Sequence, residues 1–392
     1  PMNRLLLPAL LFTTLTACTA APADTLPAAV PTPTPASTPA PTAAPAPADA
    51  LTPEEKIGQL FIIRPDALDL TLPQETINDA KADGVTMLTD AMRETLQAYP
   101  VGGICQFGKN ITDPEQLAQF NADLQAASRT PLFIAVDEEG GAVARLANHP
   151  AFDLPQYESA AAVGASGDPA DACTMGQTIG AYLKEYGFNM DFAPDADVNT
   201  NPDNPIIGTR AFSSDAAIAA EMAAAAADGL RTSGILPTLK HFPGHGDTAE
   251  DSHTALAVTY KTLDELQACE LLPFAADTGL HAVMVGHIAA PNVTGDGTPA
   301  TLSPQLVALI PDAENTLIVT DSLAMDAITA TYTPGEAAVQ ALQAGCDVLL
   351  MPNSLPEAYA AVLEAVQNGT ISEERLDRSV NKILLYKQQF AS

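Results

Sequence analysis

Eight short apolar runs, spaced along most of the chain and separated by longer stretches of helical character, constrain the fold more than any other feature. The runs cover 59–63, 103–107, 132–136, 189–192, 236–239, 282–285, 317–320 and 347–351. Between them lie segments rich in Ala, Leu and Glu at helical spacing, such as 171–186, 215–230, 263–278 and 335–344. A short, continuously apolar run suits a strand buried on both faces, and strands alternating with helices build a parallel sheet. Eight such units within about 340 residues predict an α/β protein made of a single (β/α)8 TIM-type barrel over 51–392. An open doubly wound sheet is the alternative. No GxGxxG follows the first run, which argues against a dinucleotide site. Asp264 and Ser303 are the expected helix caps.

Polar residues cluster where these runs end. Asp137 ends the third, Asp195, Asp197 and Asn199 follow the fourth, Lys240 and His241 end the fifth, His287 the sixth and Asp321 the seventh. In a barrel the C-terminal strand ends form the active-site mouth. Helix capping is a fair competing view for Asp197 or Asn199. It explains Lys240-His241 and Asp137-Glu138-Glu139 poorly, because each puts several charges beside one strand end.

The first 50 residues have a different composition. Asn3-Arg4 precedes a mostly apolar stretch over 5–15, then Leu15-Thr16-Ala17-Cys18. That order describes an export signal, too short to span a bilayer. Leu-Thr-Ala-Cys resembles the bacterial lipoprotein signal, so 1–17 is expected to be the signal peptide and Cys18 the lipid-modified residue. Residues from 19 to about 50 are almost entirely Ala, Pro and Thr, a composition that cannot bury a core and reads as a disordered linker or tether over 18–50. The chain is therefore expected to be exported and lipid-anchored to the outer face of a bacterial membrane, with membrane contact only through that anchor.

A formal net charge of −31 argues against nucleic acid as a partner, since phosphate backbones need basic patches. Trp is absent, so Phe and Tyr would have to supply any stacking on a sugar. Cys105, Cys173, Cys269 and Cys346 are widely spaced, without the paired spacing of a zinc site. Cys105 and Cys346 are expected in the core. Export would permit disulfides, and the sequence does not decide whether any form, nor the oligomeric state.

Three of the six histidines fall between 241 and 253. His241 and His245 are four apart, as in a helical zinc motif, but Pro243 and Gly244 intervene and Phe242 occupies the position where that chemistry needs Glu. The segment from His241 to Gly246 is expected to be a mobile loop that delivers a histidine, and no metal is expected. Asp251 stands two residues before His253, where its carboxylate can reach the imidazole, fix its tautomer and favour its protonated form. Asp321, at a strand end, could attack an anomeric carbon or could cap a helix starting near Leu323.

These segments resemble glycoside hydrolase family 3, specifically its β-N-acetylglucosaminidase branch. The resemblance runs from about Leu51 to the C-terminus. It rests on Ile57-Gly58-Gln59-Leu60-Phe61, Gly102-Gly103-Ile104, Asp137-Glu138-Glu139-Gly140-Gly141, the stretch from Asn199-Thr200-Asn201-Pro202 to Thr209-Arg210-Ala211-Phe212, Lys240-His241-Phe242-Pro243-Gly244-His245-Gly246-Asp247-Thr248 with Asp251-Ser252-His253, and Thr320-Asp321-Ser322-Leu323. It implies Asp321 as nucleophile, His253 as general acid/base and Asp251 as its orienter. It implies Asp137, Arg145, Arg210, Lys240 and His241 as residues that hold the sugar, with no cofactor. A related β-glucosidase branch takes its acid/base from a second domain, for which the end near Ser392 is read as leaving no room. The implied activity is a retaining exo-β-N-acetylglucosaminidase acting on terminal β-linked GlcNAc of peptidoglycan or muropeptide fragments. A phosphorolytic GlcNAc-releasing enzyme and a non-catalytic sugar-binding lipoprotein are the alternatives. Three departures bear on specificity: Glu138 where the family usually has Gln, Ala142 where it usually has Arg, and Asp195 where it tends to be apolar.

Overall fold

The computed structural model describes residues 48–249 and 256–391. Cys18 and the Ala/Pro/Thr-rich segment up to residue 47 lie outside the described residues, as do Asp251 and His253. Each of the eight apolar runs coincides at least in part with a strand: β1 (Phe61–Ile63), β2 (Gly103–Cys105), β3 (Phe133–Val136), β4 (Met190–Asp191), β5 (Leu236–Phe242), β6 (Ala282–Val285), β7 (Leu317–Thr320) and β8 (Leu349–Leu350). Every neighbouring pair is parallel.

The sheet runs β7-β6-β5-β4-β3-β2-β1-β8, and a parallel bridge between Val319 and Val348 joins its two ends. The pairing of β1 with β8 (Phe61 with Leu349) and this bridge make a closed barrel, which rules out the open doubly wound sheet. Closure also explains the apolar runs, since each strand faces packed side chains inside and helices outside. Apart from Asp191 and the β5 residues Thr238, Lys240 and His241, the polar content of the strands is low, and nearly all their apolar residues are buried.

The outer helices match the expected segments, with one correction. Pro169–Glu185, Ala216–Thr232 and Pro334–Ala344 are single helices. The expected helix over 263–278 is two short pieces, Leu263–Ala268 and Leu272–Ala276, with Pro273 in the first turn of the second. A proline there lacks the N–H that a continuous helix would use. Thr262, not Asp264, caps the first piece, in a capping box with Glu265. Ser303 caps Pro304–Val307 as expected.

Cys105 and Cys346 are buried, and the four cysteines among the described residues are free thiols. No helix among the described residues is long and apolar enough to cross a membrane.

Candidate active site

One pocket at the C-terminal ends of the strands is lined by Asp137, Arg145, Arg210, Lys240, His241 and Asp321 together. These are all the expected sugar-holding residues and the expected nucleophile. The lining also includes Arg64, Phe107, Glu139, His245, Met325 and Met351.

The polar wall is an ion-pair network. Lys240 Nζ lies 2.9 Å from Asp137 Oδ1 and 2.6 Å from Glu139 Oε1. Arg210 grips Glu139 with both prongs, Nε to Oε2 at 2.8 Å and Nη2 to Oε1 at 2.7 Å. A bidentate, charge-assisted pair of this kind fixes both position and plane. Arg145 approaches Asp137 at 3.4 Å. Burial opposes ionisation of Asp137 and Glu139, but the neighbouring cations outweigh it. Lys240 and Arg145 hold Asp137 far below the usual carboxylate range, and Arg210 and Lys240 hold Glu139 at about 2. Lys240 is buried too, and Asp137 and Glu139 keep it a cation well above its ordinary value. The wall therefore carries permanent charges of both signs that need no rearrangement when a polar ligand arrives.

Asp197 organises the next layer. Its Oδ2 lies 2.7 Å from His241 Nδ1, and its Oδ1 accepts the His245 backbone N–H at 2.6 Å. It therefore fixes the His241 ring and the start of the following loop, and caps no helix. Burial alone would lower the His241 pKa, but Asp197 raises it. Burial and then His241 lower that of His245, whose Nδ1 lies 2.6 Å from the Thr248 hydroxyl. The two rings meet edge to face at 5.9 Å. The loop turns tightly at two glycines. Gly244 has φ +129°, and a Cβ on Gly246 would lie 1.9 Å from the Val198 carbonyl oxygen. Larger residues fit neither place. The loop starts later than expected, because His241 and Phe242 are still in β5.

Asp321 follows β7 directly. Its N–H bonds the Val285 carbonyl at 2.9 Å, and its Oδ1 accepts the Ser322 N–H at 2.7 Å. The next helix starts only at Asp326, with Met325 as its cap, so the helix-cap reading of Asp321 fails. His287, expected near the mouth, is buried between the Thr301 hydroxyl and the Ser322 carbonyl, each at 2.8 Å, and supports the Asp321 turn from behind. Asn199 does not line the pocket.

The three departures have distinct settings. Glu138 is fully buried and accepts from the Leu146 and Ala147 N–H groups and the Tyr182 hydroxyl, so it anchors the turn that carries Arg145. Ala142 is exposed. Asp195 is buried 3.5 Å from Arg210, and burial and then the charge of Asp197 push its carboxyl upward.

Asp195, Asp197 and His241 offer donor atoms within 4.8 Å of one another. Both Asp197 oxygens and His241 Nδ1 are already engaged with each other or with His245, so this trio fits a hydrogen-bonded support better than a cation cage.

The Glycosyl hydrolase family 3 N terminal domain matches residues 52–385. The chain belongs to glycosyl hydrolase family 3. Among its relatives in this family, Beta-hexosaminidase A of Pseudoalteromonas piscicida is 32% identical over 335 residues, covering 77% of this chain and 56% of that one. Beta-hexosaminidase LpqI of Mycobacterium tuberculosis is 31% identical over 366 residues, covering 86% and 83%. A family 3 β-N-acetylglucosaminidase from Paenibacillus sp. superposes with a TM-score of 0.77 at 38% identity, covering 87% of this chain and 63% of that one. The chain thus spans only part of the first and third of these family members.

Arg64, Phe107, Met325 and Met351 were not among the expected site residues. Arg64 was findable, since it directly follows the first apolar run, as Asp321 follows the seventh.

Proposed function

We propose that this family 3 protein is a retaining exo-β-N-acetylglucosaminidase that releases terminal β-linked GlcNAc. The observation that carries the reading is the placement of Asp321 in one pocket with the Asp137, Glu139, Arg210, Lys240 and His241 network. The names of the hexosaminidase and acetylglucosaminidase relatives support it.

In this reading the network holds the terminal sugar's hydroxyls while Asp321 attacks the anomeric carbon. His253, oriented by Asp251, protonates the departing oxygen, then deprotonates the water that hydrolyses the glycosyl-enzyme. Asp197 keeps the His241 ring turned for sugar binding. The chain's own residues supply each of these roles without a cofactor.

A panel of aryl β-glycosides of GlcNAc, GalNAc and glucose, each with and without phosphate, tests it. The expected result is preference for GlcNAc and turnover independent of phosphate. Preference for glucose contradicts the substrate assignment. Sugar phosphate as product indicates phosphorolysis, which a neutral imidazole would favour by repelling the anion less than a carboxylate does. No turnover on any glycoside leaves the sugar-binding alternative.

The natural source of the sugar is proposed to be peptidoglycan or muropeptide fragments outside the membrane, reached from a lipid anchor on Cys18. The sequence before residue 50 supports this. Cys18→Ala should release the protein from membranes. Unchanged lipid labelling in that variant contradicts the anchor.

A further inference from the structure

Arg64 has the anchoring of a binding residue and lacks a partner that would explain its charge. It directly follows β1 and lines the pocket. One end is tied down: Nη1 donates to Asn78 Oδ1 at 2.8 Å and to the Ile77 carbonyl at 3.3 Å, and Asn78 in turn donates to Asn353 Oδ1 at 2.6 Å. Its guanidinium lies over the Phe107 ring at 4.8 Å, and that of Arg145 approaches the same ring at 5.6 Å. Arg64 Nε is buried without a hydrogen-bond partner. Arg64 makes no ion pair among the described residues, in a chain with 17 Lys and Arg against 48 Asp and Glu. Burial accordingly pulls its pKa down, offset in part by Cys105, Asp66 and Asp137. Burying a cation without a partner is costly, and here it is stacked, pinned at one end and exposed to the pocket.

We propose that Arg64 is a substrate-binding residue that donates to the 6-hydroxyl oxygen of the terminal sugar. The proposal rests on the glycosidase reading above. The strand order puts β7 and β3 on opposite sides of the barrel. With the anomeric carbon at Asp321, the C4 end of the ring points toward Asp137. The two remaining walls differ in chemistry. The β5 side has donors and acceptors together in Lys240, His241, Arg210 and Glu139. That mixture suits the C2–C3 edge, whose amide and hydroxyl both donate and accept. The β1–β8 side offers the Arg64 donors beside Phe107, Leu350 and Met351. Guanidinium donates only. Donors beside an apolar surface suit the C5–C6 edge, which presents C–H groups, the ring oxygen and O6.

The test compares kcat/KM for nitrophenyl β-GlcNAc and its 6-deoxy analogue. Wild type should favour the parent by about 10–100-fold, the usual worth of a hydrogen bond to a charged group. Arg64→Met should lose that factor on the parent and little on the 6-deoxy substrate, with Arg64→Lys between them. Equal losses on both substrates overturn the proposal. The wild-type comparison needs no variant to fold, and equal turnover of the two substrates by wild type also overturns it while leaving the glycosidase reading intact. A wild type that cleaves neither substrate removes that reading and this proposal with it.

Discussion

The carboxylate of Asp197 lies 2.7 Å from Nδ1 of His241, which fixes the ring lining the pocket. Its other oxygen accepts the His245 N–H, so one buried side chain sets both a binding ring and the loop that leaves β5. Replacing it with an amide of the same shape separates the charge from the packing. Asp197→Asn should lower kcat/KM about 10–100-fold, the worth of charged hydrogen bonds, and should move the pH profile, because the charge that raises the His241 pKa is gone. Unchanged activity and profile would mean that His241 needs no such support.

His253→Ala should separate substrates by leaving group. An activated nitrophenyl group departs with little protonation, so its first step should slow only mildly. A GlcNAc disaccharide needs the proton, and general acid catalysis is worth about 10²–10⁴-fold. Deglycosylation then limits turnover of the activated substrate, giving a burst followed by a slow phase. Equal slowing of the first step for both substrates would assign the proton to another group.

Lys387 gives the fold a pH dependence at the end of the barrel away from the pocket. It is buried, with Nζ 2.6 Å from Gln59 Oε1 and 5.3 Å from the Phe133 ring centre. Burial pulls its pKa from 10.5 down to about 7. The unfolded chain then binds this proton more tightly than the folded one, so this group makes stability rise with pH between about 7 and 10.5. Lys387→Met removes that dependence. In urea unfolding the variant should compare best with the parent at pH 6.5 and lose ground by about 1–3 kcal/mol at pH 9.5, from roughly 1.4 kcal/mol per pKa unit. A stability difference constant across that range would contradict the buried-ammonium account.

Prolonged chelation should leave turnover intact, since the Asp195, Asp197 and His241 donors are read as supporting groups. A large loss restored by zinc would make that trio a metal site.

Much of this was legible in the sequence because barrel strands are buried on both faces, so runs such as 317–320 and 282–285 stand out without any alternation to decipher. Asp137, Lys240, His241 and Asp321 were legible because a charged or polar residue at the end of such a run falls at the mouth of the barrel. What escaped depends on contacts distant in sequence. Nothing near His287 shows that it will meet Thr301 and the Ser322 carbonyl. Nothing near Asp197 shows that its two oxygens will meet groups more than forty residues away. The helix break near Pro273 and the Thr262 cap are local, and closer attention to proline and to capping-box spacing finds both.

The central claim is that Asp321 is the nucleophile of a retaining glycosidase. A 5-fluoro β-N-acetylglucosaminyl fluoride forms its glycosyl-enzyme faster than water clears it, so the adduct can be located by peptide mass spectrometry. The account predicts one sugar per chain, carried on the peptide containing Asp321, with no adduct and no turnover in Asp321→Ala. An adduct on another residue, or steady turnover in Asp321→Ala, would contradict it.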